Sequence, residues 1–478
     1  MSGFFGAVST ANCVSDVFYG TDYHSHLGTK RGGMAVFNSS NGIYERAIHS
    51  LENSYFRTKF EGDANSFSGC SGIGCISDTE PQPLVIESRI GRFAIATVSK
   101  INNINEIARY FLDKGEHFAE TSQGSYNATE LVAMLVCEKK SIEEGIKNVY
   151  DRIKGSCSIL ILYKDKLIAG RDKYGRTPII IGHKDGSFCA ASETSSFINL
   201  GYKIFQYIGA GEIVEITANG IKTLKPAEKD MQVCSFLWVY YGYPPSFYEG
   251  INVDETRYNN GAELATADMD DNGGAKPDVD FVAGIPDSGV GHALGYSNKA
   301  HIPYIRPYAK YTPTWPRSFM PQNQKQRELV AKMKLIPNSA LINGKKGIFL
   351  DDSIVRGTQL KDNVKDLYEY GIKEVHMRVA CPPLVFPCEF LNFSRSRSNL
   401  ELATRKAITN LKGIVNEEDL PKYADPDSNE YKEMVEEIRK ELGLTTLKFQ
   451  RLDALVRAIG LPKKRLCTHC FDGTGVGS

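Results

Sequence analysis

The stretch from Gly347 to Leu360, GIFLDDSIVRGTQL, constrains the chain more than any other. Ile348 to Leu350 is an apolar run of the kind a buried parallel strand carries. Two carboxylates, Asp351 and Asp352, follow at its carboxyl end, then the small-residue turn Ser353 to Thr358. Helical character sets in from Lys361 to Tyr370. A strand that ends in acids and feeds a turn and a helix start makes a site for a phosphorylated sugar. The turn's N–H groups and the helix N-terminus can hold a phosphate dianion. The paired carboxylates can accept hydrogen bonds from a ribose diol or hold Mg²⁺ with its retained waters. Two adjacent acids alone would make an ordinary surface turn; the whole string DDSIVRGT is far more specific.

A second strand-to-helix turn lies upstream. Asp278 to Ile285 reads as a short apolar strand, Pro286-Asp287-Ser288-Gly289-Val290-Gly291 as the turn, and His292 to Ala300 as the helix. Arg257 to Ala265 precedes them as a further helix. Between the two turns, Tyr308 to Phe319 and Gln322 to Lys334 mix proline, aromatic and basic residues without periodicity, which suggests a mobile lid. The first 230 residues differ in texture. Short alternating segments recur at Ser2–Val8, Gly32–Asn38, Gly91–Val98, Ser156–Tyr163, Thr177–Gly182 and Ser187–Ala191, interrupted by helical stretches at 104–113, 128–138 and 141–152. Strand runs separated by helices predict an α/β sandwich of antiparallel sheets.

Bulk properties exclude several classes. A chain of 478 residues is expected to hold two domains, or two plus a helical tail. Lys+Arg and Asp+Glu are both 57, so no whole-chain field draws it to nucleic acid or membrane. The opening MSGFFG is too short and Gly-rich for a signal peptide and no apolar run reaches membrane-spanning length, so a cytoplasmic location is expected. Eleven Cys in that setting argue against a disulfide framework and make a metal or cluster worth seeking. Cys467-Thr-His-Cys470 suits zinc, a cluster or a dithiol, and His469 adds to the zinc alternative.

The string DDSIVRGT resembles the phosphoribosyl-diphosphate (PRPP) signature of the type I phosphoribosyltransferases, and its surroundings resemble the glutamine PRPP amidotransferase family over almost the whole chain. The resemblance implies a hydrolase-type αββα domain at 1–230 with an N-terminal nucleophile, a type I phosphoribosyltransferase domain at 231–400, and a helical C-terminal segment at 401–478. It implies that Ser353, Ile354, Val355, Arg356, Gly357 and Thr358 hold the 5′-phosphate. Asp287, Ser288 and Gly289 form the diphosphate loop, and Ser288 joins Asp351 and Asp352 around Mg²⁺. Lys310, Tyr311, Arg317 and Phe319 match the family's lid in type but not in spacing, and Arg317 and Lys334 are expected near the phosphates. Cys234, Cys388, Cys467 and Cys470 match the four ligands of the family's iron–sulfur branch, which implies a structural [4Fe–4S] cluster.

The first half departs from the family where amide chemistry happens. That chemistry needs a Cys thiolate as nucleophile, Asn-Gly donors for the oxyanion, an Arg for the substrate carboxylate and an Asp for its ammonium. Here the nucleophile position carries Ser2; Cys75-Ile-Ser-Asp78 replaces the Arg-bearing segment; Thr97-Val98-Ser99-Lys100-Ile101 replaces the Asn-Gly segment; and Ala128 stands where the family has Asp. Losing one oxyanion donor typically costs ~10²–10³ in rate, and several groups are missing together. The resemblance therefore implies an enzyme that displaces diphosphate from PRPP with ammonia, free or delivered by a partner protein, to give 5-phosphoribosylamine, with glutamine hydrolysis lost. A homo-oligomer is expected. The competing readings are a non-catalytic PRPP-binding regulator and a glutamine-dependent enzyme using Ser2.

Overall fold

The computed structural model describes residues 2–121, 124–310, 335–392 and 402–475. Residues 311–334 of the expected lid, with Tyr311, Arg317, Phe319 and Lys334, lie outside the described residues, while its first residues Tyr308–Lys310 pair as a short strand with Leu335–Pro337.

The first half is built on β1 (Ser2–Ser9), a strand buried on both faces between two antiparallel neighbours, β4 (Ser71–Ser77) and β10 (Ser187–Ala191). Side chains alternate across a strand, so Phe4 and Val8 enter one core while Phe5 and Ala7 enter another. Strands β2 (Arg31–Asn38), β3 (Ile43–Ser50), β9 (Ile180–Lys184) and β11 (Lys203–Tyr207) complete a seven-stranded sheet, and α1 (Val14–Asp22) and α2 (Phe56–Ser66) lie on it. A six-stranded sheet holds β5 (Leu84–Ser88), β6 (Gly91–Ile101), β7 (Gly155–Tyr163), β8 (Lys166–Gly170), β12 (Ile213–Thr217) and β13 (Gly220–Lys225). Its outer face carries α3 (Ile104–Asp113), α4 (Ala128–Cys137) and α5 (Ile142–Arg152). The layer order is helix, sheet, sheet, helix. Helix starts are fixed by side-chain caps: Asn127 accepts from Glu130 N at 3.1 Å and Ser141 from Glu144 N at 3.2 Å, each worth ~1 kcal/mol.

The second half is organised on a four-stranded parallel sheet in the order β14 (Phe281–Gly284), β15 (Lys346–Asp351), β16 (Glu374–Val379), β17 (Thr446–Phe449). Ile348 and Leu350 face α6 (Val253–Asp271) and α7 (Gly289–Ala300), while Phe349 faces the core shared with α8 (Thr358–Glu369) and α10 (Asn429–Leu442). Residues 402–475 are mostly helical, with α9 (Ala403–Lys412) and α11 (Leu452–Ile459) beside α10, and they also supply β17.

Differences from the sequence expectations have local causes. Thr177–Gly182 begins as a strand only at Ile180, because Pro178 cannot donate to a ladder. The stretch 14–77 holds α1, β3, α2 and β4; α1 carries β-branched residues and a glycine, weak helix formers, and its helicity follows burial of Val14, Val17 and Phe18. Glu417–Asp427, polar and without periodicity, contains a 3₁₀ turn at Glu417–Asp419 and the helix Leu420–Ala424, anchored by the buried Leu420 and Tyr423, with Pro421 in its first turn.

Candidate active site

The carboxyl ends of β14 and β15 lie side by side, the place where open parallel sheets bind ligands. Asp351 closes β15 and is half-buried, and Asp352 is 6 % exposed. The Asp352 N–H donates to Asp351 Oδ1 at 2.9 Å, and the Ser353 hydroxyl donates to Asp352. Ser288, from the other loop, lies close enough for its hydroxyl to act on the Asp352 carboxyl. Burial and the neighbouring Asp352 charge push the Asp351 carboxyl well up. Burial also raises Asp352, opposed by the Ser288 and Ser353 hydroxyls, by Asp351 and by the charge of Arg257. Two carboxylates this close cannot both ionise cheaply, so the pair is short of positive charge, which suits a divalent cation.

The two loops are locked together by a glycine. A Cβ built on Gly289 would stand 2.2 Å from the Leu350 carbonyl oxygen, so the diphosphate-type turn reaches the acidic strand only because no side chain is there. Asp287 is exposed and pairs with Lys310, and the Pro286–Asp287 peptide is cis. Downstream, Ile354 is buried, Val355 accepts from Ala403 N at 2.8 Å, and Gly357 takes φ 75° before Thr358 opens α8. Ser353 and Val355 are half-buried, and Arg356 and Thr358 are exposed at the rim. The expected 5′-phosphate residues thus form one turn at one helix start.

In the other half, Ser2 begins β1 opposite Ser77, and their hydroxyls are 3.2 Å apart. Beyond Ser77, Thr79 Oγ1 is 3.3 Å from Ser77 Oγ. Thr97 takes its N–H to Gln82 Oε1 (2.7 Å), and its hydroxyl is 2.8 Å from Thr129 Oγ1 and 3.3 Å from Ser99 Oγ. Asp78 is turned to Thr29, whose N–H and hydroxyl it accepts at 2.8 and 3.1 Å.

The four singled-out cysteines converge. Cys234 and Cys467 are partners in a short parallel strand pair, and Cys388 Sγ accepts from Leu391 N at 3.3 Å. Burial raises the Cys234 and Cys470 thiols well above the usual range, and each is raised further by the other cysteines; burial raises Cys467 too, Arg176 lowers it, and Cys388 adds to the rise. Every pair among the four interacts. Among the described residues, however, no three His, Cys, Asp or Glu side chains stand close enough to hold a single metal ion.

Residues 72–199 match the model of a glutamine amidotransferase domain family. The amidophosphoribosyltransferase of Methanocaldococcus jannaschii is 31 % identical over 99 % of this chain and 97 % of its own. The chain belongs to the amidophosphoribosyltransferase family. The chloroplastic amidophosphoribosyltransferase of Vigna aconitifolia is 32 % identical over 82 % of this chain and 73 % of its own. Among solved structures, the glutamine PRPP amidotransferase of B. subtilis, complexed with ADP and GMP, superposes with a TM-score of 0.83 at 26 % identity, covering 99 % of this chain and 96 % of that one. Membership makes the chain a pentosyltransferase of the purine-biosynthetic kind. Among the described residues no helix is long and apolar enough to cross a membrane.

Within this amidophosphoribosyltransferase fold, the buried Glu193 joins the halves and the buried Arg257 stands beside it in the second half, and neither is marked by a sequence motif for binding. Arg257 on α6 donates to the carbonyls of Trp238 (3.1 Å), Tyr240 (3.0 Å) and Gly242 (2.9 Å), satisfying the carboxyl end of a short helical segment. Burial lowers its pKa, and Asp352, Asp254 and Glu193 pull it back up. Glu193 is fully buried and accepts from His26 (3.1 Å), Ser195 (2.5 Å) and the Tyr248 hydroxyl (3.1 Å). Burial alone would raise it, yet His26, His24 and Ser195 hold it down to about 2.

Proposed function

We propose that this enzyme displaces diphosphate from C1 of PRPP with ammonia to give 5-phosphoribosylamine, and that its glutamine-cleaving function has been lost. On this reading residues 1–230 are the hydrolase-type domain, 231–400 the transferase domain and 401–478 the C-terminal segment. The observation that carries the transferase half is the packing of the Asp287–Gly289 turn on the acidic end of β15, with Gly289 against the Leu350 carbonyl, beside a carboxylate pair short of positive charge.

Asp351, Asp352 and Ser288 would hold Mg²⁺, which when bound supplies charge neutralisation for the departing diphosphate. Asp351 and Asp352 accept the ribose hydroxyls, and the Ser353–Thr358 turn with the start of α8 fixes the 5′-phosphate, so that the sugar's C1 faces the Asp287–Gly289 loop. Asp287, held by Lys310, positions that loop's backbone for the leaving group. Arg317 and Lys334, outside the described residues, are proposed to close on the phosphates. Neutral ammonia attacks C1 as the C1–O bond to diphosphate breaks, and no general base is needed on the protein.

The loss of amide cleavage is supported by the residues around Ser2. Its hydroxyl lies beside Ser77, and Thr97 and Ser99 occupy the segment that would supply Asn and Gly donors. The four cysteines are proposed to bind a [4Fe–4S] cluster. The segments at 234, 388 and 467–470 bring four thiols toward one another, the all-sulfur donor set that such a cluster takes. The cluster would tie the C-terminal residues 467–470 to Cys234 and Cys388. Diphosphate release measured with ammonium or glutamine tests the reading: turnover with ammonium alone is expected, and no turnover with either would favour a PRPP-binding regulator.

A further inference from the structure

The carboxyl end of β6 reaches across to the second half at one of its cysteines. The Lys100 ammonium donates to the Cys388 carbonyl. Asn102 Nδ2 donates to the Glu389 carbonyl at 2.9 Å, and Asn392 Nδ2 donates back to the Ser99 carbonyl at 3.1 Å. Ser99 and Lys100 belong to the segment that would supply Asn and Gly donors in amide chemistry, so this segment grips the cysteine-bearing loop. Among the described residues no carboxylate pairs with Lys100.

A second cation approaches from the same half. Arg176 is fully buried, and its guanidinium carbon lies 3.5 Å from the ring centre of Phe390, two residues beyond Cys388. The Phe390 ring centre is 5.4 Å from that of His469, the neighbour of Cys470. The Arg176 carbonyl accepts from Cys234 N at 3.2 Å, and its charge acts on the Cys467 thiol. Arg176 thus touches or faces every segment that carries one of the four cysteines. The acids on this side are Glu389 and Asp472, and Asp472 is engaged by Lys463 at 2.8 Å and by the Thr468 and Thr474 hydroxyls.

We propose that Lys100 and Arg176 are the counter-charges of the four-cysteine metal site, so that the first half of the chain holds the metal that the second half ligates. Cysteines bind metal as thiolates. Four of them outweigh the charge of an iron–sulfur core or of a zinc ion, and the loaded site is a net anion. A buried anion is stable only where opposite charge or hydrogen bonds meet it. The two cations supply that charge from opposite sides, Lys100 at Cys388 and Arg176 at Cys467. They are positioning residues for the metal and touch no substrate. An added electron makes the site more negative, so both cations favour the reduced form and raise the potential. The inference rests on the cluster reading above.

The test uses the full chain purified without oxygen, with two readouts independent of turnover. One is the rate at which a ferrous chelator draws iron out, and the other is the reduction potential from a titration followed by EPR. Lys100→Gln should release iron about tenfold faster or more and shift the potential to more negative values. Lys100→Arg, which keeps the charge, should behave as the wild type. Asn102→Ala removes a bond of the same clamp but no charge, and should leave the potential unchanged. Arg176→Met should act in the same direction as Lys100→Gln; if it does not fold, the Lys100 variants decide. Equal iron release and potential in the wild type and Lys100→Gln would overturn the proposal. So would an Asn102→Ala potential shifted as far as that of Lys100→Gln, since the contact would then be docking alone. A wild type holding zinc sinks the cluster reading; faster zinc loss to a chelator from Lys100→Gln than from Lys100→Arg would still keep the counter-charges, and equal loss would remove them. A wild type holding no metal overturns both.

Discussion

At the residue scale, the account turns on a charge deficit at Asp351 and Asp352. Both carboxyls are raised in the fold, Asp351 well above its usual value through burial and its neighbour. A raised carboxyl means that the native state binds protons more readily than the unfolded chain. Stability of the ligand-free protein should therefore fall as pH climbs from the ordinary carboxylate value, ~3.9, through the raised ones. Magnesium with PRPP should cancel that loss, so the gain in Tm on adding them is expected to grow with pH across the same window; a pH-independent gain would contradict the assignment. Asp352→Asn should weaken magnesium-dependent PRPP binding by roughly 100-fold, read by calorimetry. Gly289→Ala tests the contact between the loops: with a Cβ 2.2 Å from the Leu350 carbonyl oxygen, the turn and β15 must separate. PRPP affinity should fall although no polar group is removed, and unchanged affinity would show that the close approach is dispensable.

At the element scale, the transferase motif was legible because its strand, turn and helix are contiguous in sequence. Ile348 to Leu350, the acids and Thr358 lie within one short run, and local pattern reports local structure. The joint between the halves was not legible. Glu193 meets His26, Tyr243 and Tyr248, partners from distant segments that only the assembled fold brings together, and a buried Arg257 looks in sequence like any polar helix residue. Within 14–77 the strand at Gly32–Asn38 was legible, whereas the helices Val14–Asp22 and Phe56–Ser66 were not, since they are held by packing rather than by propensity. The joint carries its own prediction. Glu193 is depressed to about 2 from 4.5, so it contributes stability that is fully present above the unfolded value and is lost as pH falls toward 2. Glu193→Gln should cost on the order of 3 kcal/mol at neutral pH, with most of the difference from the wild type gone in strong acid. Equal urea midpoints for the two proteins at pH 7 would refute this.

At the scale of the whole molecule, the chain keeps an amidotransferase architecture from end to end, and the proposed reading has its amide-cleaving pocket changed while the transferase pocket is kept. The αββα layers and the parallel sheet superpose on an amidotransferase at a TM-score of 0.83, and on the proposed reading Ser2, Thr97, Ser99 and Ala128 stand where amide chemistry would need other side chains. Those departures were readable from sequence because each is a change of residue type at a motif position. The cysteines tie Cys234 and Cys388 to the C-terminal turn at 467–470. Cys388→Ser should therefore lose iron and acid-labile sulfide and melt earlier; retention of zinc instead of iron in the wild type would contradict the cluster. The most direct test of the account compares diphosphate release from magnesium and PRPP with ammonium and with glutamine, in the wild type and Ser2→Ala. Release with ammonium in both proteins and none with glutamine is the expected result. Glutamine-driven release that disappears in Ser2→Ala would contradict it.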